Sequence, residues 1–164
     1  MERKLTLADF AGYSPYGLVI VNCLYPHKLK VANRLNNGIN ELLDFSDLYR
    51  PVLRPLSDLY RTITHNEKEI IPIVELAKIC EPNIDWKFGN DIAVSGDYKI
   101  AFDYDEREGK ECFFMLMINF GILTLALNQY RLFDCLHELK LDYRKLIDVH
   151  LAVSCYHLPE NPYK

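Results

Sequence analysis

Between Glu111 and Arg131 the chain carries no charged residue: the stretch reads CFFMLMINFGILTLALNQY, and it limits what the chain can fold into more than any other. So long an uncharged run is predicted to be buried, in protein or in lipid. A transmembrane helix needs about 20 predominantly apolar residues to cross ~30 Å of hydrocarbon. The strictly apolar part, Cys112 to Leu127, is shorter and already contains Asn119, Gly121 and Thr124. Its second half turns amphipathic. Ile122, Leu125, Ala126, Leu132, Phe133, Leu136 and Leu139 recur at three- and four-residue steps, with Arg131, Asp134, Glu138 and Lys140 on the opposite side. The pattern therefore predicts a buried strand at about 112–118, a bend at Asn119–Gly121 and a core-bearing helix at about 122–139. The class expected is α+β, with antiparallel hairpins around that central strand.

A length of 164 residues suits one domain, 1–164, able to bury a core without disulfides or metal. A net charge of −4 gives no reason to expect a polyanionic partner. The five cysteines are odd in number and irregularly spaced, which reads as reduced thiols packed as small core residues. The opening MERKLTLADF reaches Asp9 before an apolar run develops, so no signal peptide is read there and a cytoplasmic location is expected. Eleven tyrosines exceed what such a core needs, and tyrosine favours interfaces by pairing an apolar face with a hydroxyl.

Along the chain, Thr6 and Asp9 form a capping-box pattern opening a helix over Leu7–Ala11. Leu18–Tyr25 reads as a strand stopped by Pro26, and Lys28–Leu35 alternates as a second. Asn36-Asn37-Gly38 signals a hairpin whose return strand would be Ile39–Phe45. Pro51 and Pro55 exclude a regular helix or a central strand from Tyr49–Leu59. A hairpin turning at His65–Lys68 comes next, then a helix from Pro72 to about Glu81 burying Ile73, Leu76, Ala77 and Cys80. Strands are expected at Ile84–Phe88, Ile92–Val94 and Tyr98–Tyr104, the last pairing across 106–110 with the core strand. A short helix at Tyr143–Ile147 and a strand at Leu151–Tyr156 close the chain.

Patterns that carry chemistry are sparse. Cys135, His137, His150, Cys155 and His157 are the metal candidates, but only Cys155 and His157 share a face, and no CxxC or HxxxH spacing is present, so no metal or other cofactor is expected. Asp103 and Asp105 share a strand face and could pair for acid–base work or Mg²⁺; a solvated hairpin end is the simpler account of them. The EF-hand match from Asp103 fails, because the sixth and twelfth positions hold Glu108 and Phe114. No GxSxG, P-loop or GxGxxG occurs, and no cysteine sits in an activating context, so no catalytic residue is assigned. The candidate binding residues are Tyr49, Arg50, Arg54, Tyr60 and Arg61, arginines interleaved with aromatic rings that suit a protein interface or a nucleic-acid surface. Asp47 and Asp58 stand close enough in sequence to neutralise them locally.

Leu5–Phe10 continuing to Pro15-Tyr16-Gly17-Leu18, Pro51–Leu59, and Leu146–Val153 together resemble a group of small proteins encoded by phages and prophages of anaerobic gut bacteria. The resemblance covers the two ends and one middle segment, carries over no activity, cofactor or catalytic residue, and implies a mobile-element setting. His150 stands where that group is expected to have glycine, which leaves the turn geometry there open. Three functions are entertained as expectations: a non-catalytic accessory protein binding another protein, of the host or its defences, with self-association open; a nucleic-acid binder using Arg50, Arg54 and Arg61; and an enzyme of unrecognised type.

Overall fold

Thr6 opens the first helix as the capping pattern predicts: the Asp9 carboxylate accepts from the Thr6 backbone N–H at 2.9 Å and from its hydroxyl at 2.7 Å, and Arg3 pairs with the same carboxylate. The computed structural model describes residues 3–32, 38–90, 92–105 and 109–164, with the side chain of Tyr104 excepted. In chain order the elements are α1 (Leu7–Phe10), β1 (Val19–Asn22), β2 (Tyr25–Val31), α2 (Gly38–Asp44), β3 (Tyr49–Leu53), β4 (Ile63–His65), β5 (Lys68–Ile70), α3 (Pro72–Cys80), β6 (Lys87–Gly89), β7 (Ile92–Ser95), β8 (Tyr98–Asp105), β9 (Lys110–Met117), β10 (Ile122–Leu125), α4 (Gln129–Glu138) and β11 (Val153–Ser154). The class is α+β, and the chain forms two compact units.

The first unit comprises residues 1–56 and 136–164. Its sheet runs β11-β3-β1-β2, antiparallel except for the β3–β11 pair. Alternation along the strands gives it two apolar faces. Leu18, Ile20 and Leu53 pack with Phe10, Tyr13 and Leu42 on one; Val19, Val21 and Val52 meet Cys155, Leu158 and Tyr163 on the other. Each fully buried large side chain contributes about 1.5–3 kcal/mol of transfer free energy.

Here four expectations are corrected. Gly38–Asp44 is a helix, not a return strand, because Ile39, Leu42 and Leu43 match a helical period and Leu42 is fully buried; Asn36 and Asn37 lie outside the described residues. Tyr49–Leu53 is an interior strand despite Pro51, which is tolerated because β11 pairs only with Val52 and Leu53. Residues 143–150 form turns rather than a helix, and the closing strand is only Val153–Ser154, succeeded by a 3-10 turn at Cys155–His157. The turn geometry left open at His150 is present, since this residue holds φ 59° without glycine.

The second unit, residues 57–135, contains the β4–β5 hairpin and a five-stranded antiparallel meander in the order β10-β9-β8-β7-β6. Helix α3 buries Ile73, Leu76, Ala77 and Cys80, as its spacing predicts, and packs over β6, β7 and β8. The first turns of α4 add Phe133, whose ring lies 5.7 Å from Phe113 and 6.1 Å from Phe102. Both helices cover one sheet face, where Ala93, Ile100, Phe113 and Met115 are buried.

The long uncharged stretch departs from expectation in its second half. Strand β9 occupies 110–117 with a neighbour on each side, and the chain bends at Ile118–Phe120 with Gly121 at φ 60°. Beyond the bend the chain is not yet helical: Ile122–Leu125 is a strand, and α4 begins only at Gln129. The helix predicted at 122–139 is therefore shorter, because Ile122–Leu125 finds an open edge on β9 before the helical period sets in. Among the described residues no helix is long and apolar enough to cross a membrane.

Candidate functional site

Strand parity divides the second unit's sheet into two unlike faces. Phe113, Met115 and Met117 of β9 pair with Phe102, Ile100 and Tyr98 of β8 on the face that α3 and α4 cover. On the other, Leu116 pairs with Lys99 and with Leu123, Phe114 with Ala101 and with Leu125, and Ile92 and Val94 extend the same side. None of these residues is buried, although Cys112, of the same parity, is. The face is thus open and largely apolar, with Lys99 lying between Val94 and Leu116 and Lys87 beside Val94.

It becomes most exposed at its rim. All four residues of β10 are exposed, and Phe120, Leu123, Leu127 and Tyr130 stand 76, 62, 67 and 74% exposed. Scattered single apolar residues need no explanation, but a contiguous apolar patch marks an interaction surface. The prediction that the uncharged stretch is wholly buried is therefore corrected: this chain buries Cys112, Phe113 and Met115 of its first half, leaves Phe114, Leu116 and Met117 half-buried, and leaves 118–127 in solvent, with Ala126 as the exception at 4%.

β10 is held in place by a side-chain lock. Where the strand ends, the Gln129 side chain takes over the ladder, accepting from Phe113 N–H at 3.0 Å and donating to Phe113 C=O at 2.6 Å and Ala126 C=O at 3.0 Å. The open rim is consequently a structured edge, with backbone groups in fixed positions.

The binding residues singled out in the sequence divide between the two units. Tyr49 is half-buried against the first unit's core, with Lys30 Nζ 5.0 Å from its ring centroid. Arg50 is half-buried on β3, paired with Val21. Arg54 turns inward: it is 3% exposed, its guanidinium donates to the Tyr163 carbonyl and lies 5.5 Å over the Tyr163 ring, and its backbone bonds Lys140 and Asp142. In the second unit, Tyr60 is half-buried and its hydroxyl donates to Phe102 C=O at 3.5 Å. Arg61 pairs at 3.1 Å with Asp58 and donates to Ser57 Oγ at 2.6 Å. Of the three arginines, Arg54 and Arg61 are thus engaged within their own units.

Candidate chemistry is dispersed in the same way. His137 is packed edge-on to Tyr13 at 4.8 Å and hydrogen-bonds Tyr143 at 3.0 Å, whereas His150 and His157 are exposed. The five cysteines form no disulfide; burial pushes the Cys80 thiol up to about 11, with Glu81 adding to the shift. Among the described residues no three His, Cys, Asp or Glu side chains gather to hold a metal ion. An open cleft of about 390 Å³ in the second unit is walled by Ile70, Val74, Trp86 and Phe88 with Glu69 and Glu75, and holds neither Asp103 nor Asp105 nor any histidine.

The surface residues that sequence reasoning missed are Phe120, Leu123, Leu125, Leu127 and Tyr130. The signal available for them was the lack of charge itself, combined with a turn at Gly121 that starts a new strand. No family model, no curated protein and no solved structure matches this chain.

Proposed function

We propose that this chain is a non-catalytic accessory protein of a phage or other mobile element, acting by binding another protein through the open face of the second unit's sheet. The observation that carries this reading is the apolar surface formed by Ile92, Val94, Phe114, Leu116, Leu123 and Leu125, which no element among the described residues buries. Apolar surface of this kind supplies the non-directional driving force for association, and aromatic residues at its rim supply anchors. The mobile-element setting rests on the sequence resemblance, and the host or its defences would supply the partner.

Affinity capture from host lysate, with and without nuclease, tests the reading when run beside Leu116→Glu, which places a carboxylate in the middle of the face. A stoichiometric protein that survives nuclease with the wild type and is lost with Leu116→Glu is the expected result. A partner retained by Leu116→Glu, or recovery of nucleic acid in place of protein, overturns it.

A further inference from the structure

We propose that β10 is a self-pairing edge: two copies of the chain join antiparallel along Ile122–Leu125, with the two-fold axis at Thr124, into one continuous sheet. The pairing rests on the protein-binding reading, since it extends the same open face across two chains.

The sheet edges of this protein are not alike. A sheet edge exposes unpaired N–H and C=O groups, and proteins protect it with charges, proline or brevity. The outer strand β2 carries Pro26, Lys28 and Lys30, β6 carries Lys87, and β11 is two residues long. The β4–β5 hairpin carries His65, Lys68 and Glu69. Among the described sheet edges β10, Ile-Leu-Thr-Leu, combines full exposure with neither charge nor proline. An edge without charge offers a charged partner nothing to complement, whereas a second copy matches it automatically.

Backbone geometry then fixes the register. Ala126 N–H donates to Phe113 C=O at 2.8 Å, so the residues of β10 whose backbone groups point inward are the even-numbered ones, Ile122 and Thr124. Leu123 and Leu125 therefore aim their N–H and C=O groups outward. A two-fold at Thr124 sets Leu123 opposite Leu125 of the second copy, each exchanging both backbone hydrogen bonds, and the symmetry repeats the pair. Every outward group of the strand is satisfied. Thr124 meets Thr124 of the second copy in the close, non-hydrogen-bonded position, where threonine pairs are favourable. The leucines of the two chains meet on the open face.

The strand is flanked by further exposed apolar side chains. Phe120, Ile122, Leu123, Leu125, Leu127 and Tyr130 are 45–76% exposed. They supply the apolar surface flanking the strand that a second copy, paired along Ile122–Leu125, would begin to cover.

Sedimentation equilibrium of the full chain, the wild type beside Thr124→Lys and Thr124→Glu, tests the pairing. The wild type is expected to be a dimer, and each charged variant, setting like charges against each other at the axis, to dissociate with a Kd at least about tenfold higher. Mixing the two variants is expected to restore a dimer, which also shows that both are folded. A monomeric wild type, variants that dimerise like the wild type, or a mixture that stays monomeric overturns the inference. Leu116→Glu lies off the edge and separates the two readings: a dimer that no longer captures its partner leaves the pairing standing, and a monomer that still needs Leu116 for capture leaves only the protein-binding reading.

Discussion

Gly12 owes its identity to a side chain far along the sequence. A Cβ placed there would lie 2.4–2.7 Å from the imidazole ring of His137, closer than van der Waals contact permits. That ring has little room to retreat, because Tyr13 packs against it and Tyr143 bonds its Nε2 at 3.0 Å; Arg144 Nε in turn donates to the Tyr143 hydroxyl at 3.1 Å. Gly12→Ala is expected to cost about 1–3 kcal/mol by overpacking, read as a lower thermal midpoint. The cost should shrink in a Gly12→Ala/His137→Ala background, since the two residues share one contact. Lys140 shows a different constraint. It is 6% exposed, donates to Glu138 C=O at 2.8 Å, and its pKa is lowered to about 8, chiefly by burial, with Arg54 adding to the effect. The unfolded chain holds that proton until about pH 10.4. Between those values the unfolded state binds more protons, so stability rises with pH. The wild type is therefore expected to gain stability relative to Lys140→Met between about pH 8 and 10, in urea titrations at each pH. Above about pH 10 the unfolded chain loses tyrosine protons first, because burial raises the phenols of Tyr13 and Tyr163, and stability falls again.

Among the elements, β10 depends on one residue beyond its end. Gln129 accepts from the Phe113 N–H and shares the Phe113 C=O with the Ala126 N–H where the strand stops, and an unsatisfied buried backbone group such as that N–H costs about 1–3 kcal/mol. Gln129→Ala is expected to destabilise the second unit by that amount and to speed hydrogen exchange in β9 and β10 ahead of β7 and β8. Equal protection across the meander would show that the strand holds its place without the lock. Helix α3 stands at the other extreme. Pro72 at its first turn and the spacing of Ile73, Leu76, Ala77 and Cys80 are local signals that agree with the packing, so its place was legible from the chain. For α2 the local signals conflicted: Asn-Gly suggested a hairpin while Ile39, Leu42 and Leu43 kept a helical period, and burial of Leu42 decided for the helix.

At the scale of the whole molecule, the balance of forces at the proposed interface has a direct consequence. An apolar, uncharged contact closed by backbone hydrogen bonds has no phosphate or counterion term, so added salt should not weaken it. The dimer Kd is expected to stay level or tighten between about 0.05 and 0.5 M NaCl, with excluded salts strengthening burial. A Kd that rises steeply with salt would point to charged contacts instead. Partner capture should respond in the same direction, and a nucleic-acid surface in the opposite one.

The sequence by itself determined the α+β class, the hairpin at 65–68, α3, the bend at Asn119–Gly121 and the exclusion of a membrane-spanning helix for the core stretch. These come from periodicity and turn chemistry, which act over a few residues. The candidate binding residues Tyr49, Arg50, Arg54, Tyr60 and Arg61 were visible as a pattern, but their surroundings were not: Arg54 is drawn inward by Tyr163, more than a hundred positions away. Only the tertiary structure decided that the uncharged stretch is half core and half surface. A lack of charge says that a segment avoids water; the packing of the remaining strands decides whether the same chain can cover it, and at β10 it does not.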